Sequence, residues 1–107
     1  MAEVQISPQA HADMREISDY LSRELHNPGA ALQLIRRFQK AASRLRDFPE
    51  MGTPLPHEGM RVPYRYLTCG NYLLFYHTIN GIVHVDRVLY GRRDYLALLF
   101  GAPIDEE

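Results

Sequence analysis

The stretch GNYLLFYHTINGIVHVDRVLYGRRDY, residues 70–95, decides the fold. Two apolar runs flank Asn80-Gly81, and Asn-Gly in that position is the strongest short-range hairpin signal, because both central residues of the tight turn take positive φ. Gly70-Asn71 offers a second tight turn to the apolar run before it. Strands over 61–69, 72–79 and 82–90 therefore form an antiparallel meander. The chain then enters an arginine-bearing turn and a short helix over 92–100.

If each turn has two residues, Ile79 pairs with Ile82, His77 with His84, Cys69 with Tyr72 and Arg65 with Tyr76. Alternation then places Tyr64, Tyr66, Leu73, Phe75, His77, His84, Asp86, Val88 and Tyr90 on one face. Arg65, Leu67, Tyr72, Leu74, Tyr76, Val83, Val85, Arg87 and Leu89 share the other. Both faces are largely apolar, whereas an antiparallel sheet with one wet side alternates apolar with polar.

Upstream, Ser7-Pro8 is a helix N-cap followed by proline at the first helical position, where its missing N–H costs nothing. Ala10, Met14, Ile17, Leu21 and Leu25 follow at helical spacing. Asn27-Pro28 repeats the signature and opens a second helix, striped by Ala31, Leu34, Ile35, Phe38, Ala42, Leu45 and Phe48. So short a connection makes the pair an αα-hairpin. Glu3 to Ile6 alternates weakly and suits a short strand. Residues 49–63, PEMGTPLPHEGMRVP, carry four prolines and two glycines and form a structured loop. The expected fold is α+β: an N-terminal strand, a helical hairpin, a three-stranded antiparallel meander and a short C-terminal helix.

A helical hairpin can cover only one sheet face. Burying roughly 600 Å² of the other would contribute about 15 kcal/mol gross at ~25 cal/mol per Å², so a protein partner is expected there.

Composition bounds the function. A chain of 107 residues, 46% hydrophobic and 23% charged, is one folded domain spanning 1–107. One cysteine, Cys69, excludes a disulfide framework and a multi-cysteine zinc site, so a reducing cytoplasm is expected. Nothing resembles a signal peptide or a membrane span. A net charge of −1 argues against a generic or sequence-specific nucleic-acid binder. Charge is nonetheless uneven. Arg36, Arg37, Lys40, Arg44 and Arg46 crowd the second helix, while Asp13, Glu16, Asp19 and Glu24 sit in the first. Two solvated faces that neutralise one another, or a basic docking stripe, would both account for this.

Arg65 and Arg87 flank Tyr76 on the assumed second face. Together they could grip a phosphate or carboxylate through planar bidentate forks. Alternatively Arg87, between Val85 and Leu89, is paired internally and braces the fold. Arg92 and Arg93 could form a target-facing edge, with Asp94 as a neutraliser. His77, His84 and Asp86 superficially suggest a metal site, but nothing in the sequence supplies a supporting shell, and sheet histidines are the simpler account. A Cys69–His77 nucleophile pair is a weaker candidate still, because the assumed register puts the two on opposite faces. Tyr64, Tyr66, Tyr72 and Tyr76 could stack nucleobases, or simply pack on a half-buried sheet. No cofactor is expected.

The helix pair followed by FPEMGTPLP and then YRYLTCGNYLLFYHTINGIVHVDRVLYGRRDY resembles the RelE/ParE superfamily of bacterial toxins from type II toxin–antitoxin systems. The resemblance runs from about residue 3 to residue 100. Its most specific pieces are the PEMG loop, GNYLLFY and RVLYGRRD, in which members often carry histidine at the Tyr90 position. It is closer to the ParE branch than to the RelE branch. The resemblance implies a cytoplasmic toxin, a role in plasmid maintenance, and a hetero-oligomer with a cognate ParD-like antitoxin. ParE-like members are associated with poisoning DNA gyrase by binding. RelE-like members cut mRNA on the ribosome, and Arg65 and Arg93 best match their catalytic arginines. The lysines those members carry ahead of the central strands are missing, since Lys40 is the sole lysine. Contact residues for target or antitoxin are expected at Arg65, Tyr76, Arg87, Tyr90, Arg92 and Arg93. A scaffold that only titrates an antitoxin is a third possibility.

Overall fold

The structure is a computed structural model, and it describes residues 2–55 and 64–91. The chain runs β1 (Glu3–Ile6), α1 (Pro8–Asp19), a π-helical turn (Tyr20–Glu24), α2 (Pro28–Asp47), β2 (Thr53–Pro54), β3 (Tyr64–Cys69), β4 (Tyr72–Ile79) and β5 (Ile82–Tyr90). It is the expected α+β fold. The five strands form one sheet in the order β1-β5-β4-β3-β2. The expected helix over 92–100, with Arg92 and Arg93, lies outside the described residues, as do 61–63 of the expected first meander strand.

Both helix starts form as their residues dictate. The Ser7 hydroxyl accepts the Ala10 N–H at 3.0 Å, and the Asn27 side chain accepts the Ala30 N–H at 3.1 Å, each followed by proline. Ser7 also donates its N–H to the Val85 carbonyl and its hydroxyl to the Asp86 carbonyl, both at 3.0 Å. The cap thereby fixes α1 against the middle of β5. The first helix does not run regularly to Leu25: it widens into the π turn after Asp19, and Leu25 is exposed. His26, at φ 52°, turns the chain toward α2.

β1 pairs parallel with β5, from Glu3 opposite Ile82 to Ile6 opposite Val85. The loop after α2 adds an edge strand that its prolines concealed, with Thr53 opposite Tyr66 and Pro54 opposite Arg65. Proline tolerates such an edge because its missing N–H is not needed by a neighbour. The meander turns hold the expected register: Ile79 faces Ile82, His77 faces His84, Cys69 faces Tyr72 and Arg65 faces Tyr76. Asn80 and Gly81 both have positive φ, 53° and 77°.

One register assumption fails. Tyr76 pairs with Val85, but Phe75 pairs with Arg87, so Asp86 is an extra residue at a β-bulge. A bulge reverses the side-chain alternation beyond it. Val88 therefore joins the core beneath the helices, Leu89 joins the opposite face, and the Tyr90 ring lies against Tyr72.

The helices cover the face built by Leu74, Tyr76, Val83 and Val85, against Ala10, Leu34, Phe38 and Leu45. The face expected to lie beneath a partner, with Tyr76 and Val85 on it, is thus the one the chain itself shelters. Nor is the other face bare: Leu55, Phe75 and Leu89 are buried there, with Tyr64, Tyr66 and Leu73 packed around them. A whole unsheltered apolar face is not what this sheet presents.

Candidate functional site

Tyr76, expected at a contact surface, is fully buried. Its hydroxyl accepts the Gly52 N–H at 2.9 Å, and burial raises its pKa above the ordinary tyrosine value. Arg65 reaches the same loop, donating from one terminal nitrogen to the carbonyls of Glu50 (3.1 Å) and Gly52 (2.8 Å). Tyr76 and Arg65 therefore fasten the PEMG segment to the sheet. Glycine at 52 follows from this close approach. A Cβ there would lie 2.6 Å from the Tyr76 hydroxyl and 2.8 Å from the Tyr66 carbonyl oxygen.

Arg87 is likewise engaged within the chain. Its Nε donates to Asp13 Oδ2 at 2.7 Å and its Nη2 to Asp13 Oδ1 at 2.9 Å. Asp13 Oδ2 also accepts the Val88 backbone N–H at 3.0 Å. These bonds raise the Arg87 pKa, with burial opposing. The internally braced alternative for Arg87 is the one formed, and the expected Arg65–Tyr76–Arg87 grip on a partner does not assemble. Sequence reasoning missed Asp13, grouping it with the solvated acids of the first helix, yet it is buried. The signal was its place between Ala10 and Met14, on the apolar side of the helix.

The opposite sheet face holds a polar cluster at its hairpin end. His77 Nδ1 lies 2.6 Å from Asp86 Oδ2, and the His77 and His84 rings stack at 5.0 Å. Tyr64 packs on His77, also at 5.0 Å. Burial raises the Asp86 pKa above the ordinary carboxylate value, and the bond to His77 opposes the rise. Among the described residues no three His, Cys, Asp or Glu side chains are grouped to hold a metal ion. Cys69 is buried on the helix-covered face, away from His77, and burial pushes its thiol pKa up.

At the far end of the sheet, Tyr90 is 56% exposed and packs edge-on against Tyr72 at 5.4 Å. Exposed Tyr20 of the π turn also lies near Tyr72. Beside them a pocket of about 420 Å³ is lined by Tyr66, Thr68, Gly70, Asn71, Leu73, Tyr90 and Gly91. Of the expected contact residues within the described part, Tyr90 alone is an exposed side chain. Surface-exposed aromatic side chains of this kind commonly anchor protein interfaces.

Residues 4–95 match the family described as the ParE toxin of the type II toxin–antitoxin system parDE. The chain belongs to the ParE toxin family. Toxin RelE2 of Caulobacter vibrioides is 31% identical over 96 residues, which cover 87% of this ParE-family chain and 99% of that protein. The fold is shared with a chain of the chromosomal ParDE system from P. aeruginosa, at a TM-score of 0.70 and 20% identity over 86% of this chain and 98% of that one. A chain of the E. coli DinJ–YafQ toxin–antitoxin complex superposes at a TM-score of 0.53 and 14% identity, over 94% of this chain and 98% of that one. Among the described residues of this ParE-family toxin, no helix is long and apolar enough to cross a membrane.

Proposed function

We propose that this toxin acts in the cytoplasm by binding DNA gyrase, trapping the enzyme on cleaved DNA, and that a cognate ParD-like antitoxin silences it in a heteromeric complex. Such a pair would serve plasmid or genomic-island maintenance. The observation that carries the gyrase choice is the chemistry of the sheet face away from the helices. A nuclease that turns the 2′-hydroxyl of RNA on its own phosphate needs cations converging on the developing charge. That face instead carries the apolar cluster of Tyr64, Tyr66, Leu73, Phe75 and Leu89, and Arg87, which pairs across from Phe75, is held by Asp13 of α1. Arg65, the arginine best matched to a catalytic role, is occupied with the Glu50 and Gly52 carbonyls. A face lined by tyrosines, with its arginines engaged inside the chain, suits protein recognition better than phosphoryl chemistry. Tyr90 and its neighbours are the proposed target contact, with Arg92 and Arg93 beside them in sequence.

One observation favours a second proposal, a ribosome-dependent mRNA endoribonuclease using Arg65 and Arg93: the 31% identical relative carries the name RelE2. One pair of assays separates them. Purified toxin added to gyrase, relaxed plasmid and ATP should block supercoiling and accumulate cleaved DNA. Message cleavage confined to translating extracts, lost in the Arg65→Ala/Arg93→Ala double variant, would replace gyrase with the ribosome as the target.

A further inference from the structure

Three polar side chains at the hairpin end of the sheet belong neither to the core nor to the proposed target contact. His77 of β4 and His84 of β5 stand directly opposite each other, on the face away from the helices. Asp86 joins them there through its contact with His77. Tyr64 is paired with His77 on one side of this row, and Gln5 with His84 on the other. Tyr72, the partner of Tyr90, lies at the other end of β4. At roughly 3.4 Å per residue the histidines are thus about 17 Å from that end of the sheet.

We propose that His77 and His84 together bind one divalent transition ion (zinc, nickel or copper), with Asp86 holding His77 ready for it. Metal-ligating histidines characteristically give their other ring N–H to a carboxylate, which fixes the tautomer and raises the basicity of the ligating nitrogen. The sequence offers no sign of such support, but the structure contains it: His77 Nδ1 lies 2.6 Å from Asp86 Oδ2. With Asp86 ionised, the proton sits on Nδ1 and Nε2 keeps its lone pair. The spacing fits as well. A ligating nitrogen sits ~2.0–2.1 Å from zinc and its ring centre about 1.2 Å farther, so two imidazoles at a tetrahedral angle have centres about 5 Å apart. The ring centres of His77 and His84 are 5.0 Å apart. Their planes lie 16° from parallel, so one ring turns for both nitrogens to converge. His84 is free to do so, since its side chain makes no hydrogen bond among the described residues. Rotation about χ2 is soft and leaves the ring centre almost in place. Imidazole nitrogens select these ions over magnesium and calcium, which take oxygen. No third His, Cys, Asp or Glu completes the set among the described residues, so the remaining positions fall to water and the site is an open one. The inference is independent of the choice between gyrase and ribosome.

The test uses untagged full-length toxin, stripped of metal by a chelator and titrated with Zn²⁺, Ni²⁺ or Mg²⁺. Calorimetry should find one Zn²⁺ or Ni²⁺ per chain and no Mg²⁺. His84→Ala should weaken binding at least about 30-fold, and Asp86→Asn about 10–100-fold, although Asp86 does not touch the ion. The chain has five histidines, so the His11→Gln/His26→Gln/His57→Gln variant serves as the control and should bind within about threefold of wild type. Paramagnetic Cu²⁺ added to wild-type toxin should broaden the ring-proton resonances of His77 and His84 before those of the other three. That measurement reads the site even if a variant folds poorly. The site is overturned if wild-type toxin binds nothing up to about 1 mM Zn²⁺, or if His84→Ala keeps its affinity within about threefold. Broadening that begins at other histidines overturns it too. So does an Asp86→Asn variant that melts earlier yet binds Zn²⁺ as wild type does, for the carboxylate would then only brace the hairpin.

Discussion

Removing the Asp13 carboxylate should be among the most damaging single changes available to this chain. Asp13 is buried, and its two oxygens accept Arg87 Nε, Arg87 Nη2 and the Val88 N–H. Asp13→Ala takes the bidentate carboxylate from the guanidinium, leaving the more distant Glu16, and orphans a buried backbone donor. Breaking a buried pair by deleting one partner costs about 3–5 kcal/mol. The Arg87 side chain is 17% exposed, so water can offset part of this and the lower end applies, about 3 kcal/mol. A domain of this size has ~5–15 kcal/mol in total and loses roughly 4–8 °C of melting temperature per kcal/mol. Arg87→Met should cost somewhat less, about 2 kcal/mol, because Asp13 keeps the Val88 N–H. The two residues act as one unit, so the Asp13→Ala/Arg87→Met double variant should lose little more than Asp13→Ala alone. Urea unfolding of all four proteins, followed by far-ultraviolet circular dichroism, measures the cycle. A loss under about 1 kcal/mol for Asp13→Ala, or losses that simply add, would refute the view that this pair clasps α1 to β5.

Two further outcomes follow from the loop and from the bulge. Gly52→Ala should destabilise by more than about 2 kcal/mol, since its Cβ would meet the Tyr76 hydroxyl and the Tyr66 carbonyl. Tyr76→Phe, which leaves the Gly52 N–H without its acceptor, should cost about 1–3 kcal/mol, and equal melting temperatures for either variant and wild type would contradict the clamp. Asp86 has a folded-state pKa above its unfolded one, because burial disfavours its charge. Its contribution to stability is therefore fully present below the unfolded pKa and is lost as pH rises through the folded value. The melting temperature of Asp86→Asn relative to wild type should climb as pH rises above the ordinary carboxylate range, and a falling difference would mean the His77 bond outweighs burial.

Local chemistry was legible where a few adjacent residues decide it. Ser7-Pro8, Asn27-Pro28 and Asn80-Gly81 each specify a cap or a turn through their own backbone preferences, and each forms in place. The helix stripes likewise announced Leu34, Phe38 and Leu45 as core. Long-range choices were less visible. Nothing local to VHVDRVLY marks Asp86 as supernumerary, because the bulge answers to partners distant in sequence: Ser7 bonding the Asp86 carbonyl, and Asp13 taking the Val88 N–H. Proline concealed β2, whose pairing asks no donor of Pro54. The pairing of Arg87 was foreseen as an alternative, yet its partner lay 74 residues away in a helix whose acids all look solvent-facing by composition.

That one-residue shift also decides which side chains remain for a partner. Without the bulge, Tyr90 would share the face of Phe75, and Arg87 would stand beside Tyr76 as part of a basic grip. With it, Arg87 is bound to α1, Val88 completes the core, and the Tyr90 ring meets Tyr72 near Tyr20 at the end of the helical hairpin. Arg36, Lys40 and Arg44 of α2 lie exposed, outside these interactions. Arg65 and Arg87 thus hold the fold, while Arg36 and Arg44 stay exposed at the surface. Charge reversal at the first pair should therefore be read out as unfolding, and at the second should leave the melting temperature little changed. If Arg44→Glu lowered the melting temperature as much as Arg87→Glu, that distinction between the two pairs would be wrong.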